Sequence, residues 1–300
     1  MPSLSAIRAD NAAFAPSYVP VALFVGGTSG IGRATAEAFA RYTKGEAHII
    51  ICGRNRAAAE SIFVTFPKSP KGHHEFIECD VTVMKNVQTT TTNLLAGIPK
   101  INFLFLSPGF LNLKGRQDTS EGLPRKLATD YYSRWKFISD LMPLLRNAKE
   151  AGEDAKVLSV LAAGRGGPID LDDLGLKKYS LPKLLGAAGT YNDIMIEVRS
   201  KYSGGIQISA HIYFSHSQIK NLTWPLHICT QESSGHPSFI LPHGTLNFYT
   251  HCGIPYPISS PTHRVILQSI ICMHSLKGNV VLSGGDPQER FWKRQKIRIL

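Results

Sequence analysis

The stretch VALFVGGTSGIGR at 21–33 constrains this chain more than any other. An apolar run from Val19 to Val25 predicts a buried strand. A glycine-dense turn follows, and then Ile31, Thr35, Phe39 and Tyr42 fall on one helical face. Strand, glycine turn and helix together make a phosphate-binding unit. Glycines let the backbone turn sharply and approach a pyrophosphate, while the free N–H groups and positive dipole end of the helix meet the anion. Gly26, Thr28, Ser29, Gly30, Ile31, Gly32 and Arg33 are therefore candidate dinucleotide contacts. The glycine spacing differs from the widespread G-x-G-x-x-G fingerprint.

The length of 300 residues suits one large α/β domain with a sizeable core. No run approaches the roughly 20 continuous apolar residues of a membrane span. Residues 1–20 lack a basic segment followed by an apolar core, so no secretory leader is expected. Five cysteines are scattered without a C-x-x-C pair, which points to reduced thiols in a cytoplasmic protein. The net charge of +11 fits a phosphorylated cofactor and a basic C-terminal tail. No nucleic-acid motif accompanies it, and neither a nucleic acid nor a membrane is expected as a partner.

Further strands are predicted at Ala47–Cys52, Phe76–Cys79, Ile101–Leu106, Lys156–Leu161 and Ile206–Tyr213. Helices are predicted near 57–62 and 83–96. From 122 to 148 the apolar residues Leu127, Tyr131, Trp135, Ile138, Met142 and Leu145 recur in steps of three and four, predicting one long helix. This alternation means βαβ units in a doubly wound parallel sheet, a Rossmann-type three-layer sandwich. Residues 1–18 read as a loosely attached lead-in, 19–213 as the nucleotide-binding domain, and 214–300 as an irregular C-terminal third that completes or caps it. Prolines 225, 237, 242, 255, 257 and 261 interrupt regular structure there. Eight histidines crowd 211–274, but none has the H-x-x-x-H spacing of a helical metal site, and no metal is expected.

The turn resembles the T-G-x-x-x-G-x-G motif of the short-chain dehydrogenase/reductases, with Val25 at the usual Thr. Asp80-Val81 resembles the family's adenine-contacting pair, and Leu106-Ser-Pro-Gly109 keeps only the glycine Gly109 of N-N-A-G. The GNVVLSGG segment at 278–285 resembles its last strand. LSPGF at 106–110 and TYND at 190–193 are similar to a fungal subgroup of oxidoreductases. At the end of the second strand, where an NAD enzyme has an acid, stand Cys52-Gly53-Arg54-Asn55-Arg56. Arg54, with Arg33 nearby, can clamp a 2′-phosphate, so NADP (NADPH) is the expected cofactor.

The resemblance also implies a Tyr-x-x-x-Lys pair, a Ser and an Asn at the catalytic centre. Tyr191 is the candidate proton donor, with Met195 where Lys should stand. The Asn position falls near Asp130, and the Ser position on Leu161, with Ser159 two residues back on the same strand face. A Tyr of pKa near 10 is protonated at neutral pH and able to donate. The expected activity is NADPH-dependent reduction of a small carbonyl compound, or the reverse oxidation of an alcohol, in a possible homo-oligomer. The alternative is a catalytically impaired NADP(H)-binding protein that acts as a sensor or assembly component. Phe214-Ser215 replaces the family's Pro-Gly after the sixth strand, which marks 214–274 as diverged or as an altered coding segment.

Overall fold

Five apolar residues in a row, all buried, place β1 (Val21–Val25) at the centre of a parallel sheet. A computed structural model describes residues 9–110, 115–161, 166–178 and 180–212. The strands β2 (His48–Gly53), β3 (His73–Glu78), β4 (Phe103–Leu106), β5 (Lys156–Leu161) and β6 (Gln207–Ile212) complete the sheet. Their order is β3-β2-β1-β4-β5-β6. The chain winds outward from β1 to β3, then crosses back to β4 on the other side of β1. That reversal is the switch point at which doubly wound sheets open a crevice beyond their strand C-termini.

Both sheet faces are covered, which is why the strands read as continuous apolar runs instead of alternating ones. One face presents Ala22, Phe24, Ile49, Ile51, Phe103, Phe105, Leu158 and Val160 to a core shared with Ala36, Phe39 and Ala40 of α1 (Gly30–Tyr42) and with Ala59 and Ile62 of α2 (Arg56–Phe63). The helical face predicted for α1 is the one that packs: Thr35 and Phe39 are buried, and Ile31 and Tyr42 lie against the same core. Helix α3 (Met84–Gly97) follows β3.

The lead-in is more firmly attached than its composition suggests. Phe14 is buried, with its ring 6.0 Å from Phe103 and 6.3 Å from Phe39. The Tyr18 hydroxyl donates to Asp154 Oδ2 at 2.9 Å and accepts from the Asp154 amide at 3.0 Å. One aromatic side chain entering the core and one half-buried hydroxyl fix residues 14–18, a docking that small polar neighbours conceal.

The single long helix expected over 122–148 is interrupted. Its parts are α4 (Arg125–Leu127), a π-helical turn (Ala128–Tyr132), α5 (Ser133–Asp140) and α6 (Met142–Glu150). Pro143, lacking an N–H, starts α6 within its first two residues, and Leu141 leaves helical dihedrals just before it. The apolar period survives the break, because Leu127, Tyr131, Trp135, Ile138, Met142 and Leu145 are all buried. Helix α7 (Leu181–Tyr202) then leads to β6. The expected strand at 278–285 and the rest of 214–300 lie outside the described residues.

Asn102, fully buried, ties the N-terminal ends of three strands together. Its Oδ1 accepts from the Val21 amide at 2.9 Å, and its Nδ2 donates to Glu153 Oε2 and to the Asp154 carbonyl, both at 2.9 Å. Asn102→Leu leaves a buried amide and a carbonyl without partners. At about 1–3 kcal/mol for each unsatisfied group, the variant should lose roughly 3 kcal/mol of stability in urea melts. A midpoint within experimental error of the parent's would contradict this role.

Candidate functional site

The β1–α1 turn is fixed by lack of space. Gly26 has φ +81°, and a Cβ on it would stand 2.8 Å from the Pro108 nitrogen. A Cβ on Gly32 would stand 2.4 Å from both the Gly26 carbonyl oxygen and Ser107 Oγ. The turn and the β4 exit are thus pressed together with room for hydrogen only. Backbone bonds lock them: the Gly26 amide donates to Cys52 O at 2.8 Å and the Ser107 amide to Val25 O at 2.9 Å. Gly30 differs, since its φ is +55° and a Cβ there would meet nothing within 4 Å. Its glycine is required by the backbone, and its open side faces outward.

Ser29 caps α1 in an extended conformation, yet its hydroxyl makes no capping bond, and the first turn carries no acid. The first amides of a helix have no intrahelical acceptor, so this N-terminus keeps its donors and dipole for an incoming anion. Thr28 packs against the end of β2, where a Cβ on Gly53 would lie 3.1 Å from Thr28 Cγ2. The cradle fits a pyrophosphate.

The other cofactor candidates stand beyond the C-terminal ends of adjacent strands. Arg54 is exposed just past β2. Asn55 caps α2, its Oδ1 accepting from the Ala58 amide at 3.0 Å, so this side chain has a structural task. Arg33 Nε meets Glu37 Oε1 at 2.8 Å, one turn along α1. Past β3, Asp80 Oδ1 accepts from both the amide (2.9 Å) and hydroxyl (2.8 Å) of Thr82, and the half-buried Val81 sits inside that turn. Gly109, past β4, has open space where a Cβ would lie.

Deeper in, the structure reveals an organiser that sequence reasoning missed. Arg134 of α5 is 1 % exposed, and its guanidinium donates to Leu106 O (2.9 Å), Pro108 O (2.6 Å) and Ser159 Oγ (2.9 Å). Burial lowers its pKa to about 10, a fall opposed by Asp130, so the group stays charged at neutral pH. Asp130, in the π turn, pairs with Lys126 at 2.7 Å; burial raises its pKa while Lys126 and Arg134 oppose the rise. Ser159, 2 % exposed, is thus an acceptor for Arg134 beneath the β4 exit.

Tyr191 is 2 % exposed and donates its hydroxyl proton to the Leu174 carbonyl at 3.1 Å; burial pushes its pKa up. Met195, four residues on, is buried too. The neighbouring Asn192 joins two helical layers, its Oδ1 accepting from Trp135 Nε1 (3.0 Å) and its Nδ2 donating to Asp130 O (3.0 Å) and Ala188 O (2.8 Å). A π turn leaves a helix carbonyl in need of a donor, and Asn192 supplies one. The TYND segment is therefore a packing seam as built.

A Tyr-x-x-x-Lys spacing does occur at the start of α7, as Tyr179-Ser-Leu-Pro-Lys183, and the spacing alone could have found it. Ser180 caps the helix, accepting from the Lys183 amide at 3.4 Å. Lys183 Nζ lies 2.9 Å from Asp170 Oδ2 and 3.4 Å from Asp173 Oδ2, and its bond to Asp170 raises its pKa. Tyr179 itself lies outside the described residues.

Comparison with known proteins agrees with this architecture. Residues 20–152 match the short chain dehydrogenase family. Oxidoreductase AN1596 of Emericella nidulans is 41 % identical over 178 residues, 59 % of this chain and 52 % of its own. The NmrA-like family domain-containing oxidoreductase notO of an Aspergillus species is 34 % identical over 181 residues, 59 % of this chain and 53 % of its own. A solved short-chain dehydrogenase from Sphingobium yanoikuyae, in complex with NADPH, is 17 % identical with TM-score 0.49, covering 64 % of this chain and 69 % of that one. Residues 20–152 are thus similar to the short-chain dehydrogenases, and the described residues fold as a Rossmann-type parallel sheet. The chain spans about half the length of the curated relatives it matches. Among the described residues, no helix is long and apolar enough to cross a membrane.

Replacing Arg134 by Met leaves the Leu106 and Pro108 carbonyls without this donor and Asp130 with Lys126 as its one remaining cationic neighbour among the described residues. Removing one member of such a buried charged network costs about 3–5 kcal/mol. The expected result is a melting temperature lowered by several degrees; an unchanged value would show that the β4 exit does not depend on this residue.

Proposed function

We propose that the chain is an NADPH-dependent oxidoreductase that reduces a small carbonyl compound, and that it binds the cofactor at the β1–α1 turn. The observation that carries this reading is the glycine cradle at the switch point, where Gly26 and Gly32 admit no Cβ and Gly30 opens outward. The α1 N-terminus, with Ser29 uncapped, receives the pyrophosphate. Asp80 and Val81 flank the adenine, and Gly109 lets the chain past β4 approach the cofactor. Arg54 selects the phosphorylated form, since it stands where an acid would hold a ribose hydroxyl. When bound, the nicotinamide supplies the hydride. The protein supplies the proton to the substrate oxygen and the cavity that keeps water away.

Two tyrosines compete for the proton-donor role. Tyr191 has its hydroxyl engaged by Leu174 O inside the fold, whereas Tyr179 stands four residues before Lys183, the family's spacing. The burial of Tyr191 favours Tyr179 as donor, with Lys183 holding its pKa down once Asp170 and Asp173 yield it. A second reading, a nucleotide-binding protein without turnover, is favoured by the buried Met195 at the Lys position that follows Tyr191.

Titration with NADPH, followed by tryptophan fluorescence and with NADH as control, tests the cofactor assignment. NADPH should bind at least tenfold more tightly. Arg54→Glu should weaken NADPH by roughly 10–100-fold, the worth of about 1.5–3 kcal/mol for a charge-assisted contact, and leave NADH little changed. Absence of binding by either nucleotide would sink the reading.

Carbonyl reduction separates the tyrosines. Tyr179→Phe should lower kcat by about 10²–10⁴, the usual worth of a positioned acid. Tyr191→Phe should cost about 1 kcal/mol of stability with kcat retained. The reverse pattern restores Tyr191 as donor, turnover unaffected by either change removes both tyrosines from that role, and turnover absent despite NADPH binding supports the second reading.

A further inference from the structure

At the opposite end of the sheet from the glycine turn, strand register assembles three metal-ligating side chains. His48 and His73 open β2 and β3 and are direct neighbours in the parallel ladder. Glu75 lies two residues along β3, so the pleat brings it to the same face as His73. The two imidazole rings are 4.6 Å apart, and His48 Nε2 lies 2.9 Å from Glu75 Oε1. One donor atom from each of the three falls within 4.8 Å of the others. His74, between them in sequence, points to the other face, where its ring stacks on Phe63 at 5.7 Å.

We propose that His48, His73 and Glu75 form a binding site for a divalent transition ion of the zinc class. Two imidazole nitrogens and one carboxylate make a donor set suited to Zn²⁺, Co²⁺, Ni²⁺ or Cu²⁺, whereas Mg²⁺ and Ca²⁺ prefer all-oxygen sites. Rigid neighbouring strands hold the Cβ atoms, and only side-chain rotation is needed to draw the donors from their present spacing to a common ion. His73 is exposed, while the side chains of His48 and Glu75 keep 18 % and 38 % of their surface, so water can complete the coordination. The ion would replace the present hydrogen-bond contact between His48 and Glu75 and would clip the edge strand β3 onto β2. Because the site lies at the strand N-termini, it is independent of the nucleotide assignment.

The test is calorimetric titration of the full chain with ZnCl₂, and with CoCl₂ read by its visible absorption bands. Wild type should bind one equivalent more than His48→Ala or His73→Ala. Glu75→Gln should weaken that equivalent by at least the roughly 10–100-fold that even an outer-sphere partner is worth. Any binding by the histidines at 211–274 persists in all three variants and is subtracted. Because an ion that binds only the folded state stabilises it, Zn²⁺ should also raise the melting temperature of wild type more than that of His73→Ala, whose substituted side chain is exposed. Identical isotherms and identical thermal shifts in wild type and His73→Ala would overturn the proposal.

Discussion

The buried guanidinium of Arg134 is the interaction on which the nucleotide edge of this fold depends. It reaches from α5 under the sheet and binds Leu106 O, Pro108 O and Ser159 Oγ. Those partners span the exit of β4 and the adjacent strand β5. The same exit forms the wall against which Gly26 and Gly32 pack without room for a side chain. A shift of Pro108 by a few tenths of an ångström would therefore reshape the phosphate cradle. A buried cation is costly alone, and here the carbonyl dipoles of Leu106 and Pro108 and the nearby Asp130 carboxylate offset that cost.

The same economy links the other elements of the site to distant parts of the chain. Helix α3 begins at Val83 without a capping side chain or a first-turn acid. Its first amides are taken by Glu121, whose carboxylate accepts from Met84 at 2.7 Å and Lys85 at 2.9 Å. The turn at 174–176 is held in the same way. Tyr191 takes the carbonyl of Leu174, Arg116 Nη1 donates to Leu176 O at 2.7 Å, and Leu176 sits at φ +52°. Side chains from other elements thus impose the conformations that local propensity would resist.

This explains which features were legible in the sequence. The glycine turn, the packed face of α1 and the six strands are local patterns: apolar runs, 3.6-residue periods and positions where only glycine fits. Boundaries differed where an edge strand is partly exposed, as in β3, which starts at His73 and hides its pairing behind HHE. The docking of Phe14 and the network of Arg134 depend on partners many residues away, whereas the break at Pro143 is local and was masked by the apolar period that continues across it. Periodicity showed the buried face from Leu127 to Leu145 and gave no hint that a charged side chain would be buried among it. Tyr191 drew attention because it opens a motif, yet its surroundings give it a packing task. The Tyr-x-x-x-Lys spacing at 179–183 is equally visible in the sequence.

The sheet separates its tasks by strand end, and that division constrains how the chain can change. The C-terminal ends carry glycines, exposed Arg54 and the Asp80 turn, groups chosen for what they leave open. The N-terminal ends carry Asn102, the Tyr18–Asp154 contact and Glu153, groups chosen for what they close. Substitutions at the closed end act through stability and should spare cofactor choice, whereas those at exposed open-end side chains such as Arg54 act on binding with small effects on folding. Arg134 is the exception, since it lies under the open end and yet is wholly buried.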